Sequence, residues 1–262
     1  MQTENRQSGT DTVELTVLKD LDEISRAAAD LIASQSQKAG SSGKPFTVVL
    51  SGGSTPRRLH ERLSRKPSVR NSLPWHNIHF FWGDERHVAP ENPQSNYRMA
   101  RETLFDCAPV PAPNIHRVRA EEPEAAVAAE QYERQLQSFF NLTAGQLPRF
   151  DCVLLGIGSD GHTASLFPGT RALQEKRRLV VANWVEKLQT HRITLTVPVI
   201  NNAALIIFLV SGRQKAEVLQ QILEGDYRPD LLPAQLIRPE HGRLLWLVDR
   251  AAAGCLSDTI RL

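Results

Sequence analysis

The chain has 262 residues, of which 41% are hydrophobic and 23% charged, with a formal net charge of +2. This is ordinary globular composition, and the length suits one large α/β domain or two small ones with a sizeable core, one domain being the simpler reading. The near-neutral balance offers no footprint for nucleic acid or an anionic membrane, so any anion site must be local.

Residues 1–12, MQTENRQSGTDT, are polar and lack an apolar leader core; they are expected as a frayed tail ahead of a single domain over 13–262. Cys107, Cys152 and Cys255 are widely spaced and odd in number, giving neither a disulfide framework nor a CxxC metal site. A reducing cytoplasm fits this usage. The most apolar run, ALIIFLV at 204–210, is far too short to span a bilayer.

Along the chain, β-branched runs alternate with helix-period segments: VELTVL then LDEISRAAADLIASQ, FTVVL then PRRLHERL, IHFFW then a loop and NYRMARETLF, and DCVLL then a glycine-rich stretch. RLVVANW, RITLTV and ALIIFLV follow, then RQKAEVLQQIL, with Ala216, Leu219, Ile222 and Leu223 on one helical face, and finally LLWLV. This alternation predicts an α/β fold, a doubly wound and mostly parallel sheet with helices on both faces. In such a fold, functional groups gather at the carboxyl ends of strands.

GIGSDGH at 156–162 contains GxGxxG, yet Pro168 and Gly169 stop any long helix after it, and the next strand ends at Asn183 without a ribose-binding carboxylate. A dinucleotide site is therefore not expected. LSGGSTP at 50–56 follows a strand and places Pro56 in a first helical turn. Gly52, Gly53, Ser54 and Thr55 form either a phosphate cradle at a helix N-terminus or a tight loop with Thr55 as its cap. WGDERHV sets Asp84, Glu85, Arg86 and His87 at a strand end, as an anion-binding group or a surface salt-bridge cluster. Ser95 or Asn96 stands at the next helix start as cap or ligand. Asp160 and His162 flank Gly161, where an imidazole could take a proton from water with a carboxylate setting its tautomer. No HxH, HExxH or cysteine pair completes a metal site around them. Arg192 and Lys215 read either as solvated side chains or as cations closing a phosphate pocket.

Taken in order, LSGGSTP, FFWGDERHVAPENPQSNYRMARETL, NIHRV, FDCVLLGIGSDGHTASLFPGT, RITLTVPVINNA and SGRQKAEVL resemble the 6-phosphogluconolactonases over about residues 13–250. The resemblance implies the α/β fold shared with the glucosamine-6-phosphate isomerase/deaminases, and hydrolysis of 6-phospho-D-glucono-1,5-lactone in the oxidative pentose phosphate pathway. It implies no cofactor and a small-molecule sugar-phosphate substrate; the residue pattern and charge give no expectation of a metal, a nucleic-acid partner or a membrane partner, and the sequence does not set the oligomeric state, monomer or weak homodimer. His162 would be the general base. Asp160, or alternatively Asp84, would orient it, and Gly52, Gly53, Ser54, Thr55, Asp84, Arg86, Asn96, Gly158, Arg192 and Lys215 would bind substrate. Backbone N–H groups of residues 156–158 or an arginine would face the oxyanion. The alternatives are a deaminase-like enzyme and a non-catalytic sugar-phosphate-binding regulator. Deaminases usually carry tyrosine after the Asp-Glu pair and a glutamate five residues after the histidine; this chain has Arg86 and Phe167 there.

Overall fold

A computed structural model of the protein describes residues 4–8 and 11–257, with side chains from residue 13 onward. Strand β1 (Glu4–Ser8) runs antiparallel to β2 (Asp11–Leu18), so part of the segment expected to fray pairs with the sheet, while residues 1–3, 9 and 10 lie outside the described residues. Asp20 caps helix α1 (Leu21–Ser41) by accepting from the Glu23 N–H at 3.0 Å. Then come β3 (Phe46–Leu50), α2 (Ser54–Arg65), α3 (Pro67–Arg70), β4 (Ile78–Trp82), the short β5 (Asp84–Arg86), α4 (Asn96–Ala100) and α5 (Ala125–Phe139). The second half holds β6 (Cys152–Leu155), β7 (Val180–Val185), β8 (Thr190–Leu195), α6 (Val197–Asn201), β9 (Leu205–Val210), α7 (Ala216–Glu224) and β10 (Arg243–Asp249).

The main sheet has the order β1-β2-β10-β9-β6-β3-β4, and every pairing from β2 to β4 is parallel. Strands β3, β6 and β9 are buried along their whole length, which is why they read as continuous apolar runs: both faces of the sheet are covered. Phe208 and Trp246, partners across β9 and β10, stack with ring centroids 3.9 Å apart. On the open side of β4, the Tyr132 hydroxyl from α5 accepts from the Trp82 N–H (2.8 Å) and donates to its carbonyl (3.1 Å). Strand β3 has β4 on one side and β6 on the other, so the chain leaves their neighbourhood in opposite directions. A crevice opens there, at the carboxyl ends of β3 and β6.

RLVVANW and RITLTV do not join the parallel sheet. They form β7 and β8, which with β5 make a separate antiparallel sheet in the order β5-β8-β7. The reason is local: only a 3-10 turn at Glu186–Leu188 separates β7 from β8, and a connection that short permits a hairpin but no crossover. This small sheet stands beside the crevice and brings its own side chains to it.

Candidate active site

After β3 the chain turns through Gly52 and Gly53 into α2. A Cβ on Gly52 would stand 2.0 Å from the Asn96 Oδ1, so only glycine lets Asn96 lie against this loop. Gly53, at φ 108°, occupies the cap position of α2 and offers no side chain to its first N–H groups. Thr55 is therefore inside the first turn rather than at the cap, because Ser54 already has helical backbone.

The DER cluster divides by function. Glu85 is buried and accepts the N–H groups of Asn96 and Tyr97, both at 2.7 Å, and the Ser95 hydroxyl at 3.2 Å, so it holds the start of α4. Burial raises its pKa while these N–H bonds oppose the rise. Ser95 is the cap of α4, accepting from the Arg98 N–H at 3.1 Å. Asp84 Oδ2 accepts from the Ser165 hydroxyl at 2.6 Å, and the Asn96 amide donates to the Asp84 carbonyl at 2.9 Å. Arg86 donates to the Gln94 carbonyl. Among the described residues none of the three enters a salt bridge, so this is not a surface ion-pair cluster.

The glycine-rich turn after β6 folds back on itself. The Gly158 N–H donates to the His162 carbonyl at 2.8 Å, so this N–H is already engaged and does not face an oxyanion. A Cβ on Gly158 would lie 2.0 Å from His162 Nδ1; the glycine is there to admit the imidazole. Gly161, at φ 74°, packs against Leu232, and its carbonyl accepts from Ala234 at 2.9 Å. His162 Nδ1 stands 2.5 Å from Asp160 Oδ1, and Asp160 Oδ2 forms an ion pair with Lys187. The His162 ring stacks on Phe167 with centroids 4.1 Å apart. Its pKa is pushed down to about 4, chiefly by burial; Asp84 opposes the fall, and Lys215, Arg192 and Arg86 add to it. The imidazole is thus neutral above pH 5, with Nδ1–H donated to Asp160 and the Nε2 lone pair left over.

Arg192 on β8 lies directly across from Arg86 on β5. Burial and then the Arg86 charge lower its pKa, and burial lowers that of Lys215, which ends the 3-10 turn Arg213–Lys215 after β9. A cavity of about 290 Å³ brings together Gly52, Asp84, Arg86, Asn96, His162 and Arg192. Ser51, Ile157, Ser165, Phe167, Lys187 and Leu188 complete part of its wall. Asp160 and Gly158 stand behind His162, and Lys215 acts on it through its charge. Gly53, Ser54 and Thr55 do not line the cavity. Sequence reasoning missed Lys187, Ser165 and Leu188, which carry no local chemical pattern. Among the described residues no group of three or more His, Cys, Asp or Glu side chains is placed to hold a metal ion. A second, larger cavity of about 920 Å³ adjoins the first across Phe167 and Lys187. No helix among the described residues is long and apolar enough to cross a membrane.

A paired imidazole and carboxylate beside clustered cations, at strand ends of a doubly wound sheet, is an arrangement suited to an enzyme acting on an anionic substrate. The sequence profile of the glucosamine-6-phosphate isomerases/6-phosphogluconolactonases matches residues 19–246. A 6-phosphogluconolactonase of Nostoc sp. is 44% identical over 241 residues, covering 92% of this chain and 97% of that protein. One from Synechocystis sp. is 44% identical over 206 residues, 79% of this chain and 82% of that protein. The solved 6-phosphogluconolactonase of Trypanosoma brucei superposes with a TM-score of 0.80 at 30% identity, over 93% of this chain and 98% of that one. The chain belongs to this family, on its 6-phosphogluconolactonase branch, and is a carboxylic ester hydrolase.

Proposed function

We propose that the protein hydrolyses 6-phospho-D-glucono-1,5-lactone to 6-phosphogluconate without a metal, with His162 as general base. The observation that carries this reading is the 2.5 Å contact of His162 Nδ1 with Asp160, which leaves Nε2 as the free lone pair of a neutral imidazole beside a cationic pocket. Nε2 takes a proton from water, and the oxygen attacks C1 of the lactone. The tetrahedral intermediate then collapses, the bond from C1 to the ring oxygen breaks, and the imidazolium returns the proton to that oxygen. Asp160 holds the tautomer and balances the transient positive charge.

The 6-phosphate fits Arg86 and Arg192 beside Gly52, with Lys215 adding positive charge from the turn after β9. Those cations also depress the basicity of His162, so a bound phosphate dianion raises it again at the moment of need. Phe167 stacked on His162 occupies the position from which a deaminase glutamate would work, which favours hydrolysis over ring opening and ammonia release. We place the enzyme in the cytoplasm, a reading supported by its free cysteines Cys107, Cys152 and Cys255.

The test is lactone hydrolysis corrected for the spontaneous reaction, run beside an assay of ammonia release from glucosamine 6-phosphate. His162→Ala lowers kcat by about 10²- to 10⁴-fold with KM little changed. Near-normal kcat in that variant, or ammonia release by the wild type, overturns the reading. Activity lost in a chelator and restored by zinc overturns the metal-free step.

A further inference from the structure

Lys187 belongs to the Glu186–Leu188 turn at the tip of the β7–β8 hairpin, closed by Gln189 at φ 47°. Its ammonium pairs with Asp160 Oδ2, the oxygen that His162 does not use. The same ammonium lies 4.9 Å from the centre of the Phe167 ring, whose plane stacks on His162. Lys187 thus touches both groups that surround the imidazole, the carboxylate at its edge and the aromatic ring at its face. The adjacent Glu186 does not compete for it, because its carboxylate accepts from Trp184 Nε1 (2.6 Å) and Gln189 Nε2 (2.8 Å).

We propose that Lys187 is a positioning residue for the hydrolytic step: it fixes the Asp160 carboxylate in the orientation that bonds His162 Nδ1 and balances its charge, so the pair works as carboxylate and neutral imidazole. This inference rests on the reading of His162 as general base. The physical argument is short. A carboxylate bonded only to an imidazole favours the imidazolium, which has no lone pair at Nε2. An ammonium on the opposite oxygen opposes that protonation and removes the freedom of Asp160 to rotate away. The remaining charges that face His162 come from other elements: Asp84 and Arg86 on β5, Arg192 on β8, and Lys215 in the turn before α7. Replacing Lys187 leaves all of them in place.

The side chain of Lys187 is 52% exposed, so its replacement leaves the core intact. In Lys187→Met the acid limb of the kcat/KM profile moves up by about half to one pH unit, the range for one charge removed about 6 Å away in a solvent-like dielectric. kcat falls roughly 3- to 30-fold, KM changes little, and Lys187→Arg restores both the limb and kcat. An NMR titration of the His162 imidazole in the free enzyme gives the same upward shift without any substrate. An unmoved titration, a KM effect alone, or an arginine variant that behaves like methionine overturns the inference. Failure of wild-type lactone hydrolysis overturns the functional reading instead, while the substrate-free titration still decides the role of Lys187.

Discussion

Arg86 and Arg192 are cross-strand neighbours on β5 and β8 and line the same cavity. Two guanidinium groups directly opposed across a ladder repel, and burial worsens the repulsion for Arg192. Strand pairing alone does not favour such an arrangement; a dianion between them does. Arg192→Gln is expected to raise KM for the phosphorylated lactone about 10- to 150-fold, the loss of one charge-assisted hydrogen bond of roughly 1.5–3 kcal/mol. It is also expected to stabilise the empty protein by a few tenths of a kcal/mol, read as a small rise in Tm. Arg86→Gln raises KM less, because Arg86 is partly committed to the Gln94 carbonyl. Equal turnover of unphosphorylated gluconolactone by the wild type removes the phosphate from this pocket.

Gly158→Ala puts a methyl group 2.0 Å from Nδ1 and 2.6 Å from Asp160 Oδ1. The imidazole and the carboxylate cannot both keep their places, and the turn is anchored at both ends by backbone hydrogen bonds. Loss of the His162–Asp160 contact is expected to lower kcat at least 100-fold, while the fold retains most of its stability because the displaced groups are partly exposed. A variant with wild-type kcat shows that this contact has no part in catalysis.

The parts of this site legible in the sequence are those where the chemistry is contiguous. Ser51 and Gly52 after β3, and Asp160 with His162 after β6, each follow a strand end within a few residues, although Gly53, Ser54 and Thr55 fall outside the cavity, and the sheet that carries them announces itself through fully buried strands such as β3 and β9. The choice between a solvated Arg192 and one that closes a phosphate pocket rested on family resemblance, since its neighbour Arg86 is contributed by a strand more than 100 positions earlier. Lys187 was invisible for the same reason: its partner Asp160 is reached only because the β7–β8 hairpin folds over the β6 turn. Glu85 fits neither reading of the DER cluster, anion site or surface ion pairs, because its oxygens are spent on the start of α4. Local pattern reveals a reactive turn, but pairings across a hairpin depend on tertiary packing.

Acid sensitivity follows from buried neutral histidines. His60, fully buried in α2, has its pKa pushed down to about 3 by burial and by Arg57, and burial lowers His116 and His162 to about 4. These folded values lie below the usual 6.5, so between them the unfolded chain binds more protons than the folded one. Stability is therefore full above about pH 6.5 and is lost as pH falls toward 3, by up to about 1.4 kcal/mol per pH unit for each such histidine. His60 Nε2 also has no partner among the described residues: the Thr103 hydroxyl donates to the Met99 carbonyl at 2.6 Å, so His60 Nδ1–H must donate to Thr103 at 3.3 Å. His60→Leu keeps the volume, suits a helix interior and removes the unpartnered nitrogen. Urea unfolding at pH 7.5, 5.5 and 4.5 is expected to find the variant no less stable at neutral pH and to lose about one proton's worth of slope below pH 6.5. An unchanged slope excludes His60 as a source of acid sensitivity.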